Sequence, residues 1–225
     1  MDQIDKELSL PLSERVQLCT ERHLDAICRH SFVRELHDTT LPLVPFQRWA
    51  AAITPTVTLF TEALEANIKR AHLAGLSESI FLSKQLAEEK EHNLIWRDFV
   101  RSISLDFDSL RYQGHTHPPI TRLNNWLWMV NSNPRYGVGE GIASLYAMKA
   151  LIIPLAQYLL PSIKVVASSK ADLRWFELHT CGEELKHVQK GASYLESHPL
   201  EEHERLYTTV KETQDCFAGT FCRYY

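Results

Sequence analysis

Two Glu-x-x-His motifs, far apart in the chain, constrain this sequence more than any other feature, because both lie in stretches with helical periodicity. In residues 175–195, Leu178, Leu185, Val188 and Leu195 recur among polar residues. His179, Glu183 and His187 follow at every fourth position, so on a helix of 3.6 residues per turn all three leave from one face. Glu184 stands three before His187 and leaves from nearly the same side. In residues 85–100, Glu88 and Glu89 precede His92 by four and three positions, and Leu86, Ile95, Trp96, Phe99 and Val100 supply the apolar set. A lone Glu-x-x-His reads best as a solvated face with Glu–Lys pairs. Two of them on separate helices fit a shared core, where carboxylates and imidazoles converge on a transition metal. Di-iron carboxylate bundles use such a pair of motifs plus one Glu from each of two other helices. The competing account leaves the acidic run Glu88–Glu91 simply exposed.

The chain has 225 residues, 44% of them hydrophobic, enough to bury a substantial core as a single domain over 1–225. A formal net charge of −4 and the lack of a basic run argue against a nucleic-acid partner. No apolar stretch reads as a membrane span, and the polar N-terminus lacks a signal-peptide core. Cys19, Cys28, Cys181, Cys216 and Cys222 are odd in number and form no Cys-x-x-Cys pair, which points to free thiols and a cytoplasmic setting.

Glycines number eight and strand-like alternation is scarce, so the expectation is all-α with about seven helices. The first spans 13–30, capped by Ser13 with Glu14 in its first turn. Helix continues over 31–37, and Leu41-Pro42-Leu43-Val44-Pro45 is a short extended link. Residues 45–73 form a long helix or a broken pair, with Pro55 as the kink. Residues 77–103 follow, with Ser77 as a candidate cap. Residues 104–120 read as a loop closed by Pro118-Pro119, carrying His115 and His117 as surface or lid residues. Further helices cover 121–132, 138–160 (interrupted near Pro154), 170–197 and 199–222. Trp96, Trp126, Trp128 and Trp175 are candidates for an aromatic pocket, although core packing is the commoner use.

Residues 30–64, which open His30-Ser31-Phe32-Val33-Arg34-Glu35-Leu36 and continue through Leu41-Pro42-Leu43 to Phe46-Gln47-Arg48-Trp49, resemble the start of haem-oxygenase-like proteins. Thiaminase II and pyrroloquinoline-quinone synthases share this pattern. The resemblance extends through Glu89–His92, Gly141–Met148 and His179–Gly191. It implies a single haem-oxygenase-like helical bundle around a central pocket. Within that superfamily fold does not fix function. Thiaminase II enzymes carry an acid after the Phe-x-Arg-Trp segment, where Ile53 stands here, and a cysteine on a later helix, which 138–160 lacks. The better match is to haem-oxygenase-like di-iron oxidases. That likeness implies Glu89, His92, His179, Glu183 or Glu184, and His187 as ligands of two Fe(II) ions, with one extra residue on the last motif to be absorbed by a π-bulge.

In those oxidases the middle helix carries a carboxylate where this chain has Lys149, after Tyr146-Ala147-Met148. A charged ammonium donates only and cannot ligate. Three explanations stand. Lys149 is displaced, with Glu140 or Glu62 supplying the carboxylate. Or Lys149 sits beside the metals with a lowered pKa as a base or substrate anchor, with Tyr146 one turn away. Or the second metal site is weak or empty. The second is preferred, since Lys149 is flanked by apolar residues. The resemblance thus implies an O2-dependent oxidase, possible as a homodimer. Its substrate would be a small molecule such as a tryptophan-like amino acid whose carboxylate Lys149 holds, and its outcomes N-oxygenation, C–C cleavage or nitrile formation. The alternatives are a cofactor-independent or thiaminase II-like enzyme, or a metal-free binding relative.

Overall fold

The computed structural model describes residues 10–112, 117–167 and 169–221. His115 and Cys222 lie outside them. Among the described residues the chain is helical, with no strand. The helices are α1 (Leu12–Arg29), α2 (Ser31–His37), α3 (Leu43–Leu73), α4 (Glu78–Ser102), α5 (Phe107–Tyr112), α6 (Pro118–Ser132), α7 (Val138–Val166), α8 (Arg174–Leu178), α9 (Gly182–Glu196) and α10 (Leu200–Gly219). Seven are long, matching the expected number; α2, α5 and α8 are short.

Helix α7 is the axis of the bundle. It packs against α1, α2, α3, α6, α8, α9 and α10. Its surroundings explain its sequence: a helix apolar on nearly all sides is one that neighbours enclose. By length and composition α7 could cross a membrane, which the sequence reading did not expect of any segment; 72% of its most apolar 18-residue stretch is buried inside the bundle. It runs on through Pro154 and Pro161 to Val166, beyond the expected end at 160. Its start is fixed by Glu140, whose Oε2 accepts from the Gly137 backbone N–H at 2.6 Å and from Arg205 at 2.5 Å.

Several local expectations change, among them the cap at Ser77, which makes no side-chain cap bond, and the 41–45 link, which is helical from Leu43. Ser13 does not cap α1: the helix starts after Pro11, and the Ser13 N–H donates to Glu196 of α9. The 104–120 segment is not all loop: α5 forms where Asp106 accepts from the Asp108 N–H and the Ser109 hydroxyl, an aspartate capping a short turn. Most consequential, 170–197 is not one helix. Residues His179–Cys181 break it, with Cys181 extended (φ −82°, ψ 160°) before α9 begins. The break takes the place of the expected π-bulge.

Helices α1 and α10 are tied at both ends. Arg15 pairs with Glu204 at 2.5 Å, and His23 Nε2 with Asp215 at 2.8 Å. Cys19, Cys28, Cys181 and Cys216 are free thiols.

Candidate active site

The cluster stands where α4, α7 and α9 meet. Glu89 and His92 come from α4, Lys149 from the middle of α7, Glu184 and His187 from α9, and His179 from the break before it. Glu89, His92, Lys149, His179 and Glu184 are all buried. Lys149 Nζ lies 2.5 Å from Glu89 Oε1 and 2.9 Å from Glu184 Oε2. It also reaches His187 Nδ1 at 3.5 Å. His187 Nε2 in turn lies 3.1 Å from Glu88 Oε2, at the half-exposed rim. His92 Nδ1 donates to Glu89 Oε2 at 3.2 Å, while its Nε2 is 3.8 Å from Glu184 Oε1.

His179 has a fixed tautomer. Its Nδ1 is 2.7 Å from the Trp175 carbonyl, which can only accept, so Nδ1 carries the proton and Nε2 keeps its lone pair. The ring lies 5.4 Å from that of His92, edge to face. Burial pushes His179 down to about 4, so it is a neutral imidazole at pH 7.

The carboxylates are ionised despite burial. Burial alone would raise Glu89, but the Lys149 ammonium and the His92 hydrogen bond outweigh it and hold the group at about 2. Burial likewise works against Glu184, and His187 and Lys149 hold it well below the usual carboxylate range. For Lys149 the two carboxylates overcome the cost of burial and raise its pKa. The apolar neighbours on α7 predict a lowered lysine pKa; the partners from α4 and α9 reverse the sign. Lys149 is buried in the pocket as expected. Both of its strong partners are protein carboxylates, so it is not free to hold a substrate carboxylate.

Other expected site residues fall elsewhere. Glu183 points to solvent and pairs with Lys186 at 2.6 Å, because α9 begins anew at Gly182 and turns that position outward. Glu140 is the cap of α7 and Glu62 is exposed, so neither supplies the carboxylate that Lys149 displaces. Tyr146 faces a smaller cavity with Gln85, His187 and Gly191 on the far side of Lys149. His117 is partly buried at the start of α6 and Trp128 is exposed. The Trp126 indole bonds Thr213, away from the cavity.

The main cavity has the cluster at one end. Glu89, His92, Lys149 and His179 line it with Asn93 and Thr56, and apolar groups make up the rest. Trp96 and Trp175 contribute as expected. Trp49, Phe217 and Phe221 also line it; only their side chains' convergence in space reveals this.

Among the described residues, no group of three or more His, Cys, Asp or Glu side chains stands in metal-holding geometry. The donor set nonetheless contains imidazole nitrogens and buried carboxylates, the groups a first-row divalent ion takes. Two Fe(II) ions do not fit: four positive charges would join an ammonium against two buried carboxylates. One divalent ion fits by charge only by taking the place of the Lys149 proton, which Glu89 and Glu184 otherwise hold on the amine.

No protein-family model and no curated protein matches the chain. Solved structures do. A TenA homologue from Pseudomonas syringae pv. tomato str. DC3000 matches with a TM-score of 0.79 at 14% identity, over 100% of this chain and 97% of its own. A TenA homologue from Pyrococcus furiosus matches at 0.77 and 15%, over 95% and 100%. A domain of unknown function with a heme oxygenase-like fold, from Shewanella denitrificans OS217, matches at 0.70 and 15%, over 95% and 91%. The chain has the haem-oxygenase-like fold. In this haem-oxygenase-like bundle the Lys149 cluster occupies the central pocket that the sequence resemblance implies.

Proposed function

We propose that the protein is an enzyme that transforms a small, largely apolar organic molecule at the Glu89–Lys149–Glu184 cluster, as an iron-dependent, O2-using oxidase. The observation that supports this is the face-to-face placement of the two Glu-x-x-His motifs, Glu89/His92 on α4 and Glu184/His187 on α9, with the His179 lone pair beside them. Glu89, His92, Glu184 and His187 would hold one Fe(II), with His179 as a further nitrogen donor. The ion would supply one-electron and O2 chemistry. The chain's own groups do the rest. Lys149 keeps the two carboxylates apart and oriented, and its Nζ can pass a proton to or from a group bound at the cavity's polar end. The apolar walls exclude water from that end. An amino-acid substrate, tryptophan-like or otherwise, must be held by groups other than Lys149.

The TenA homologues among the structural matches favour a second reading, a cofactor-independent, thiaminase II-like enzyme. In that reading the neutral His179 is the base and the Lys149 ammonium balances the charge of Glu89 and Glu184. Assay of O2 consumption and turnover against a panel of amines and amino acids, with and without an iron chelator, separates the two. Loss of turnover with the chelator and recovery with Fe(II) support the oxidase. Turnover that ignores both supports the cofactor-independent enzyme.

A further inference from the structure

The cavity is long and narrow, and only one end of it is polar. On α7 its lining runs Lys149, Ile152, Leu155, Leu159, Ile163, so it follows about 21 Å of helix at 1.5 Å per residue. On α3 the lining runs from Phe60 back to Trp49, about 17 Å. The two helices agree on direction. Thr61, next to Phe60, bonds Asn93 near the charged cluster, while Trp49 stacks on Phe221 at the other end. The cavity volume counted at water centres is about 90 Å³. Spread over about 21 Å, that is a path about 2 Å wide for a water's centre, and with a water's radius of about 1.4 Å added on each side the channel is about 5 Å across, the width of an alkyl chain and less than the breadth of a fused bicyclic ring.

The polar end specifies the head group. His179 presents a lone pair, Glu89 presents its carboxylate, and the one ammonium is already bound by Glu89 and Glu184. What is left for a ligand is hydrogen-bond acceptors in a field of net negative charge.

We infer that the cavity binds a linear alkyl chain ending in an amine, with the amine at His179 and the Glu89–Lys149–Glu184 cluster and the chain running toward Phe217 and Phe221. A bond of about 1.5 Å at a tetrahedral angle advances a zigzag chain by about 1.25 Å, so the roughly 17 Å that both helices line takes about fourteen carbons. This deepens the proposed function, since it places the substrate's reacting end at that cluster, but it makes a claim about binding alone.

The test is equilibrium binding of n-alkylamines from hexyl to hexadecyl, and of matched carboxylates, to the full chain treated with chelator. The readout is quenching of tryptophan fluorescence, since Trp49, Trp96 and Trp175 line the cavity. Affinity should rise about fourfold per added methylene, then level off near tetradecyl, with carboxylates of the same length about tenfold weaker. Ala156→Trp narrows the channel between Leu155 and Leu159 and should move the levelling point to a shorter chain. If circular dichroism shows that variant unfolded, Leu159→Phe serves the same purpose. Affinity independent of chain length, carboxylates binding as well as amines, or a levelling point that no wall substitution moves each overturns the inference. Because binding is read without turnover or metal, its failure is distinct from failure of the oxidase reading.

Discussion

The Lys149 ammonium lies 2.5 Å from Oε1 of Glu89, and both side chains are buried. Glu184 completes the arrangement from the other side at 2.9 Å. A buried ion pair is a weak source of net stability, but removing one partner leaves the other charge without compensation. Lys149→Met should therefore lower stability by about 3–5 kcal/mol. Adding Glu89→Gln should recover part of that loss, because it removes one of the two stranded charges. Urea denaturation of the two single variants and the double variant gives the coupling. Additive losses would show that the pair is not coupled.

Much of this site was legible in the sequence. The spacing in Glu89-x-x-His92 and Glu184-x-x-His187 placed each pair on one face, and the apolar run around Lys149 announced its burial. The direction of the Lys149 pKa was not legible, because it depends on carboxylates 60 and 35 positions away. The register of the last motif was misread because periodicity carries through a break that leaves the apolar pattern intact. One local signal was present: Gly182 followed by Glu183 and Glu184 has the acid-rich first turn of a new helix.

That break separates two adjacent glutamates in role. Glu183→Ala should leave the unfolding midpoint and any metal content as they are, since its carboxylate is in solvent. Glu184→Ala should reduce both, because it removes a buried partner of Lys149. Metal content and melting temperature of the two variants, measured together, check the register. Equal effects would restore Glu183 to the site.

Gly191 is held to glycine by Tyr146. A Cβ there would stand 2.5 Å from Tyr146 Cδ2. Gly191→Ala should cost about 1–3 kcal/mol through overpacking. In a Tyr146→Leu background the same change should cost less. Chemical denaturation of the four proteins decides, and an unchanged cost would mean that something other than the Tyr146 ring opposes the methyl group.

The α1–α10 tie should give a pH signature. The Cys19 thiol, then Asp215 and the Cys19 carbonyl, outweigh burial and lift His23 to about 9 from its ordinary 6.5. A raised folded-state pKa means that the protonated form stabilises the fold. The contribution is whole below about 6.5 and is lost as pH rises through about 9. Asp215→Asn should thus destabilise the protein at pH 6 and converge on wild type by about pH 10. Denaturation at the two pH values, with His23 followed by NMR, checks it. A gap between variant and wild type that persists at high pH would show that the bond acts without the proton.

The iron content of the chain produced in iron-rich medium tests the central claim most directly, measured beside His92→Ala and His187→Ala. The account predicts about one iron per wild-type chain, on the charge balance of one divalent ion against two carboxylates, and little in either variant, with O2 consumption falling in parallel. Iron-free wild-type protein that turns over substrate, or iron that survives both substitutions, would contradict it.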